Sequence, residues 1–237
     1  MLLSIIRQNQ KLAAKRNPAF DRNRFAKFLI YFMVAFWAAY LIFIGVMLSF
    51  AFEDIFPSME PYHIMNQGLI YLLILDFLLR FMLQPAMSQE IKPYLLMPIK
   101  KNKLVDTLLL QSGISSYNFF WFFLIVPFAL LTIIRFYGFT GILCYLCGIW
   151  LLMAMNSYWY LICKTLLNEK LLYILLPIGV YGLLAGTEFI PEGNPVSTFM
   201  MNLGEGFIEG NILAFLGVIA AILLLLLVNR KLQLHFI

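Results

Sequence analysis

The stretch that organises this chain is Gln84-Pro-Ala-Met-Ser-Gln-Glu-Ile-Lys-Pro-Tyr-Leu-Leu-Met-Pro-Ile-Lys-Lys-Asn-Lys-Leu-Val-Asp106. It is polar and basic, and it separates two long apolar runs. Pro85, Pro93 and Pro98 each remove a backbone donor and disfavour helix at the preceding residue. We therefore expect short helical pieces in this insert rather than one continuous helix.

One of these pieces, residues 90–97, is predicted to lie along a membrane surface. Its apolar side chains are expected to face lipid or the helix bundle, and the basic side chains in and after it are expected to face water and lipid headgroups. The apolar set is Ile91, Tyr94, Leu95 and Met97, and the basic set is Lys92, Lys100, Lys101 and Lys103. The alternative is a basic loop that only fixes topology.

The composition excludes a soluble protein. Hydrophobic residues make up 62% of the chain, charged residues make up 12% and the mean hydropathy is +0.87, whereas roughly a quarter of the residues of a soluble domain are charged. With ~20 residues needed for each span, 237 residues allow one domain of about six spans. The net charge of +5 comes from short loops, as the positive-inside rule requires, so no nucleic-acid partner is predicted.

The apolar runs predict an all-α, multi-pass membrane protein with six transmembrane helices. Residues 1–27 alternate basic and apolar side chains, which is typical of an interfacial helix, and residues 188–210 are too polar to span but too apolar for a solvated loop. The predicted spans are 28–52, 63–83, 107–134, 141–162, 171–187 and 211–228, with a cytosolic loop at 84–106 and an external re-entrant segment at 188–210. With the N-terminus inside, the cytosolic segments hold every Lys and Arg that lies outside the predicted spans except Arg135, so both termini are predicted to be cytosolic.

Polar residues inside these spans are candidate functional residues. Asp76 and Arg80 stand at i and i+4 on one helix face, and either charge alone would cost roughly 2.5 to 3.5 kcal/mol at mid-membrane. We expect an ion pair, which is either a functional site or an ordinary pair whose Arg reaches the cytosolic surface. Gln111, Ser115 and Asn118 recur at i, i+4 and i+7 and predict a polar stripe that faces other helices.

Other motifs in the spans favour packing over chemistry. Gly182 and Gly186 have the G-x-x-x-G spacing that allows close packing of helices. Cys144 and Cys147 have C-x-x-C spacing but no second pair, so we predict packing and no metal site. The sequence contains neither H-E-x-x-H nor G-x-S-x-G, and we expect no catalytic residues.

The order of these parts resembles the membrane (permease) subunit of a type-2 ABC exporter, in detail an uncharacterised bacterial branch of that family. The stretch Ile91-Lys-Pro-Tyr-Leu-Leu-Met-Pro-Ile-Lys-Lys-Asn-Lys-Leu-Val-Asp106 is similar to the L-x-x-x-P-hydrophobic-basic stretch that such permeases carry. Members of that branch are often considerably longer than this chain. The resemblance implies that residues 1–27 form an elbow helix and that the insert supplies a coupling helix. The implied ATPase-coupling residues are Glu90, Ile91, Lys92, Tyr94, Leu95, Pro98, Lys100 and Lys101.

The resemblance also implies partners and a location. The sequence has no G-x-x-x-x-G-K-[ST] loop, so ATP and Mg²⁺ are expected in a separate ABC ATPase subunit. Two permease copies, identical or different, would pair in the bacterial cytoplasmic membrane and export an amphipathic or lipid-like substrate. The alternatives are a non-transporting assembly or anchor protein and a secondary transporter. A secondary transporter is expected to show paired broken helices, whereas the sequence indicates a break only in the fifth span.

Overall fold

The structure is a computed structural model that describes residues 24–84, 99–187 and 194–236, together with residues 6, 8, 9, 12, 91 and 94. Every regular element in these residues is a helix. Two short 3₁₀-helices, Ser116–Phe119 and Leu171–Ile174, accompany the α-helices. The α-helices in chain order are α1 (Arg24–Ile55), α2 (Pro61–Gln67), α3 (Leu69–Leu83), α4 (Lys101–Gly113), α5 (Phe122–Thr132), α6 (Ile134–Glu169), α7 (Leu175–Gly186), α8 (Pro195–Ile208) and α9 (Ile212–Phe236).

The long apolar helices make this a helical membrane protein. Three of them, α1, α6 and α9, are long and apolar enough to cross a bilayer alone. Counting each of two bent helix pairs as one span raises the number to five. The sequence predicts six, and the remaining candidate, Leu171–Gly186, is a shorter apolar helix.

The second predicted span, 63–83, is not one helix. Gly68 separates α2 from α3 with φ −75° and ψ −5°, and the two helices are bent by 49°. A ψ near zero lies far from the α-helical value, and glycine is a common site of helix kinks because it has no side chain to hold the turn. The span therefore changes direction one turn after its start.

The third predicted span, 107–134, is also broken, and the predicted polar stripe is wrong. Gln111 lies on α4, which ends at Gly113, and Ser115 has an extended backbone with φ −68° and ψ 147°. Asn118 lies in the following 3₁₀-helix, and the two halves of the span are bent by 58°. The cause is local, because glycine and serine are weak helix formers and asparagine side chains compete for backbone groups.

The centre of the fold is α6. It packs against α3, α4, α5, α8 and α9, and its buried residues belong to both apolar clusters of the core. The segments that join the predicted fourth span to its neighbours, 135–140 and 163–170, are largely helical, so α6 is longer than the predicted 141–162. Gly138 alone departs from helical geometry, with φ 62°, a left-handed value that glycine adopts without strain.

The predicted external segment, 188–210, contains a regular helix. Residues 188–193 lie outside the described residues, and α8 begins with Pro195 at its first turn. This helix packs on α2 and α6 and buries Phe207 and Ile208. Gly148 of α6 permits this contact, since a Cβ there would overlap the Phe207 ring.

The two glycines of the G-x-x-x-G motif do not lie at a helix contact within the described residues. A Cβ added to Gly182 or Gly186 would meet no atom of the described residues within 4 Å. A close backbone approach instead occurs at Gly45 of α1, where a Cβ would overlap the carbonyl oxygen of Leu124 on α5. The predicted packing motif is therefore unused within the described part of one chain.

Candidate functional site

The predicted ion pair between Asp76 and Arg80 is present and deeply buried. Arg80 Nε donates to Asp76 Oδ2 at 2.7 Å, and their side chains are 1% and 4% exposed for Arg80 and Asp76 respectively. The guanidinium therefore does not reach the surface, and the expected alternative of an arginine extended to the cytosolic interface is wrong. Two charges at this depth are stable only with further hydrogen bonds.

Two neutral side chains supply those hydrogen bonds to Asp76. Trp121 Nε1 donates to Asp76 Oδ1 at 2.9 Å, and Asn156 Nδ2 donates to Asp76 Oδ2 at 2.8 Å. With Arg80, three donors from three parts of the chain meet one carboxylate. Hydrogen bonds to an ionised acceptor are stronger than neutral ones, so this carboxylate holds α3, α6 and the start of α5 together.

Arg80 is held at the break of the third span. Its Nη2 donates to Asn118 Oδ1 at 2.8 Å, and Asn118 Nδ2 donates to the Gly113 carbonyl at 2.5 Å. A helix that ends inside a membrane protein leaves carbonyls without partners, and these must be satisfied by protein groups. Tyr158 of α6 does the same one turn earlier, by donating to the Leu109 carbonyl at 3.1 Å.

The contacts extend to α7 through Asn156. Tyr181 OH donates to Asn156 Oδ1 at 2.7 Å, and Asn156 Nδ2 also lies 2.9 Å from the Leu73 carbonyl. We call the six connected side chains the buried polar network: Asp76, Arg80, Asn118, Trp121, Asn156 and Tyr181. It joins α3, α6 and α7 to the break of the third span.

The described residues of the insert pack on this bundle. Ile91 is 1% exposed and Tyr94 is 8% exposed, and both belong to an apolar cluster with Leu104 and Val105 of α4 and with Tyr160 of α6. They therefore face the bundle rather than lipid. Ile6 of the predicted interfacial segment is fully buried in the same cluster.

The other predicted coupling residues divide into two groups. Lys100 and Lys101 are exposed at the start of α4. The rest, Glu90, Lys92, Leu95 and Pro98, lie outside the described residues.

The end of α3 that leads into the insert is fixed by α6. Tyr160 OH donates to the Gln84 carbonyl at 2.6 Å, and Lys164 Nζ donates to the Phe81 carbonyl at 2.9 Å. The same ammonium group lies 4.2 Å from the centre of the Phe81 ring. These contacts satisfy one carbonyl in the last turn of α3 and the carbonyl just after the helix, so a displacement of the insert would be passed to α3 and α6 together.

A second polar cluster lies at the opposite end of the bundle. His63 Nδ1 and Glu205 Oε1 are 2.5 Å apart, and Arg135 Nη1 donates to Glu53 Oε1 at 2.7 Å. The first contact joins α2 to α8, and the second joins α1 to α6. In the described part of the chain, no group of three or more His, Cys, Asp or Glu side chains is arranged to hold a metal ion.

Sequence reasoning missed three members of the buried polar network. Trp121, Asn156 and Tyr181 carry no motif, and Trp121 and Asn156 are 45 and 80 positions from Asp76. One available signal was that Asn156 is among the few strongly polar residues of the fourth apolar run, where an amide needs a partner.

Together these features define a helical membrane protein with a buried, charged network at the break of its third span. The chain belongs to the family of unknown function DUF5687, which it matches over residues 10–237. Comparison with curated proteins and with solved structures found no match.

Proposed function

We propose that this chain is the transmembrane subunit of an ATP-driven exporter, which moves an amphipathic or lipid-like substrate out of the cytosol when paired with a separate ATPase. The observation that carries the proposal is the burial of Ile91 and Tyr94 of the insert against α4 and α6. A loop that only fixed the topology would not need to bury apolar side chains among the helices. An anchored insert can transmit the movement of a partner to the helices on either side of it.

The contacts at the end of α3 support this role. Force on the insert acts first on Gln84 and Phe81, whose carbonyls are bound by Tyr160 and Lys164 of α6. One turn deeper, Arg80 holds Asn118 at the break of the third span. Movement of α3 would therefore reach the bent part of the membrane domain without passing through a flexible segment.

The finer topology belongs to the same proposal. Six spans, cytosolic termini, a re-entrant segment around α8 and a pair of permease copies in the bacterial cytoplasmic membrane all fit an exporter of this type. Arg135 and the acidic residues Glu53 and Glu205 would then lie on the outer side. ATP and Mg²⁺ would be bound by the partner ATPase and not by this chain.

The test is coupled transport in vesicles that contain the chain and the ATPase that co-purifies with it. Pro98→Ala, and separately the charge reversal Lys100→Glu with Lys101→Glu, should leave insertion and ATP hydrolysis intact while abolishing most ATP-driven transport. Lys170→Glu with Lys231→Glu is the matched control, because both lysines are exposed but lie outside the insert. Unchanged transport in the insert variants, or transport by the chain alone without an ATPase, would contradict the proposal.

A secondary transporter is the second candidate, and the two bent spans favour it. Such transporters bind substrate or a coupling ion where broken helices meet near the middle of the membrane. Here the third span, bent by 58°, contacts the buried Asp76 through Trp121, and the second span, which carries Asp76, is itself bent by 49° at Gly68. The same vesicles decide between the two functions: uptake driven by a sodium or proton gradient without ATP supports the second candidate, and strict dependence on ATP supports the first.

A further inference from the structure

We propose that the groove at the start of α4 binds the phosphate headgroup of an anionic lipid. The groove has a volume of about 620 Å³, within the range of about 300–1,000 Å³ that is typical of small-molecule sites. Lys100, Lys101 and Lys103 line it, together with Asp106 and Leu110. Lipid binding does not require the protein to be an exporter, although Lys100 and Lys101 also belong to the proposed coupling residues.

The charge of the groove suits an anion. Lys100, Lys101 and Lys103 are exposed and stand within four consecutive residues. Asp106 is the acidic residue in the lining, and Arg230 of α9 contacts both of its oxygens, at 2.7 Å and 3.4 Å. Because that carboxylate is already paired, Lys100 and Lys103 give the groove a net positive charge.

The shape of the groove favours a lipid over a free anion. Lys103, Thr107 and Leu110 are spaced at i, i+4 and i+7 and so share one face of α4. Leu110 is 56% exposed and lies seven residues, about 10 Å, along the helix from Lys103. The groove therefore begins with ammonium groups at the start of a candidate span and ends on an exposed leucine farther into it. A phosphate group with an attached acyl chain matches both parts.

The experiment uses the full chain purified in detergent and titrated with phosphatidylglycerol or phosphatidylcholine of the same acyl chains, with bound lipid counted by native mass spectrometry. We expect the wild type to prefer phosphatidylglycerol. Lys100→Gln with Lys103→Gln should weaken that binding about 30-fold, since each basic residue near a lipid surface contributes the equivalent of about a fivefold change in affinity. If the double variant fails to fold by circular dichroism, each single variant should show about a fivefold loss.

Two matched controls separate this groove from general charge and general hydrophobicity. Lys170→Gln with Lys231→Gln removes two exposed lysines elsewhere and should bind phosphatidylglycerol like the wild type. Leu110→Asn should weaken phosphatidylglycerol binding, whereas Leu223→Asn, at an equally exposed leucine of α9, should not. Equal weakening in the control pairs would overturn the proposal.

Two further arms identify the ligand. If inorganic phosphate displaces phosphatidylglycerol at equal concentration, the groove binds a free anion and the lipid assignment fails. If the double lysine variant keeps its phosphatidylglycerol but loses a co-purifying ATPase, the groove contacts a protein partner and the assignment also fails. Equal binding of phosphatidylglycerol and phosphatidylcholine by the wild type would overturn it as well.

Discussion

Two ion pairs with the same distance between arginine Nε and carboxylate oxygen lie in opposite environments in this molecule. Arg80 Nε and Asp76 Oδ2 are 2.7 Å apart, and so are Arg230 Nε and Asp106 Oδ1. The first pair is 1% and 4% exposed, whereas both side chains of the second are 45% exposed. The distance alone therefore says little about what each pair contributes.

Burial changes both the attraction energy of an ion pair and the free energy lost when its charges leave water. Charges in a low-dielectric interior attract each other strongly, but each has lost its water and depends on the partner that remains. Exposed charges keep their water and are screened by salt. The buried pair is therefore required for the stability of the fold around it. The exposed pair between α4 and α9 is a surface contact that contributes little.

The largest expected effect comes from breaking the buried pair. Asp76→Asn should lower the free energy of unfolding by about 3–5 kcal/mol, because it leaves the Arg80 guanidinium without a counter-charge. The double change Asp76→Asn with Arg80→Gln should cost less than the single change. Denaturation in mixed micelles, arranged as a double-mutant cycle, measures the difference, and a coupling energy of zero would show that the two side chains are not energetic partners.

A middle-sized effect is expected where the buried pair meets the broken span. Asn118→Ala removes the acceptor of Arg80 Nη2 and the donor to the Gly113 carbonyl, so we expect a loss of about 1–3 kcal/mol. Ser116→Ala is the matched control at an exposed position of the same 3₁₀-helix and should change stability by less than about 0.5 kcal/mol. Equal losses in the two variants would mean that the helix itself, and not the network, sets the stability of the break.

The smallest effect is expected at the exposed pairs. Arg230→Gln should cost less than about 1 kcal/mol, and Arg135→Gln, which breaks the exposed pair with Glu53, should cost similarly little. Both losses should shrink further at high salt, because these side chains are open to solvent. The same micelle denaturation at low and at high ionic strength provides the measurement, and a salt-independent loss above 2 kcal/mol would remove the contrast with the buried pair.

The parts of the fold that could be predicted from sequence depend on short-range pattern. The apolar runs predict a helical membrane protein, and the i,i+4 spacing of Asp76 and Arg80 predicts their contact, because both signals are local along the chain. Gly113, followed closely by Ser115 and Ser116, predicts a break in the third span, because glycine and serine are weak helix formers. Polar periodicity alone predicts a helix that continues through this break.

The rest of the site depends on contacts between distant residues. Glu205 reaches His63 across 142 positions, and Arg80 meets Asn118 across 38 positions. Such pairs follow from how helices cross, which is set by close approaches such as Gly45 against the Leu124 carbonyl. Gly182 and Gly186 show that a packing motif visible in the sequence need not make a helix contact within the described residues of one chain.

The buried polar network also determines which parts of the molecule can shift independently. Sliding α3 past α6 would break several hydrogen bonds at once, among them those from Asn156 to Asp76 and from Lys164 to the Phe81 carbonyl, so we expect these two helices to travel as one rigid body. In contrast, α1 meets the bundle mainly through α5, and most of its surface is exposed. A shift of α1 would slide apolar surfaces past one another and would break the exposed Arg135–Glu53 pair, which contributes little to stability. In the proposed cycle, the rigid unit of α3 and α6 would therefore move with the insert relative to the first helix.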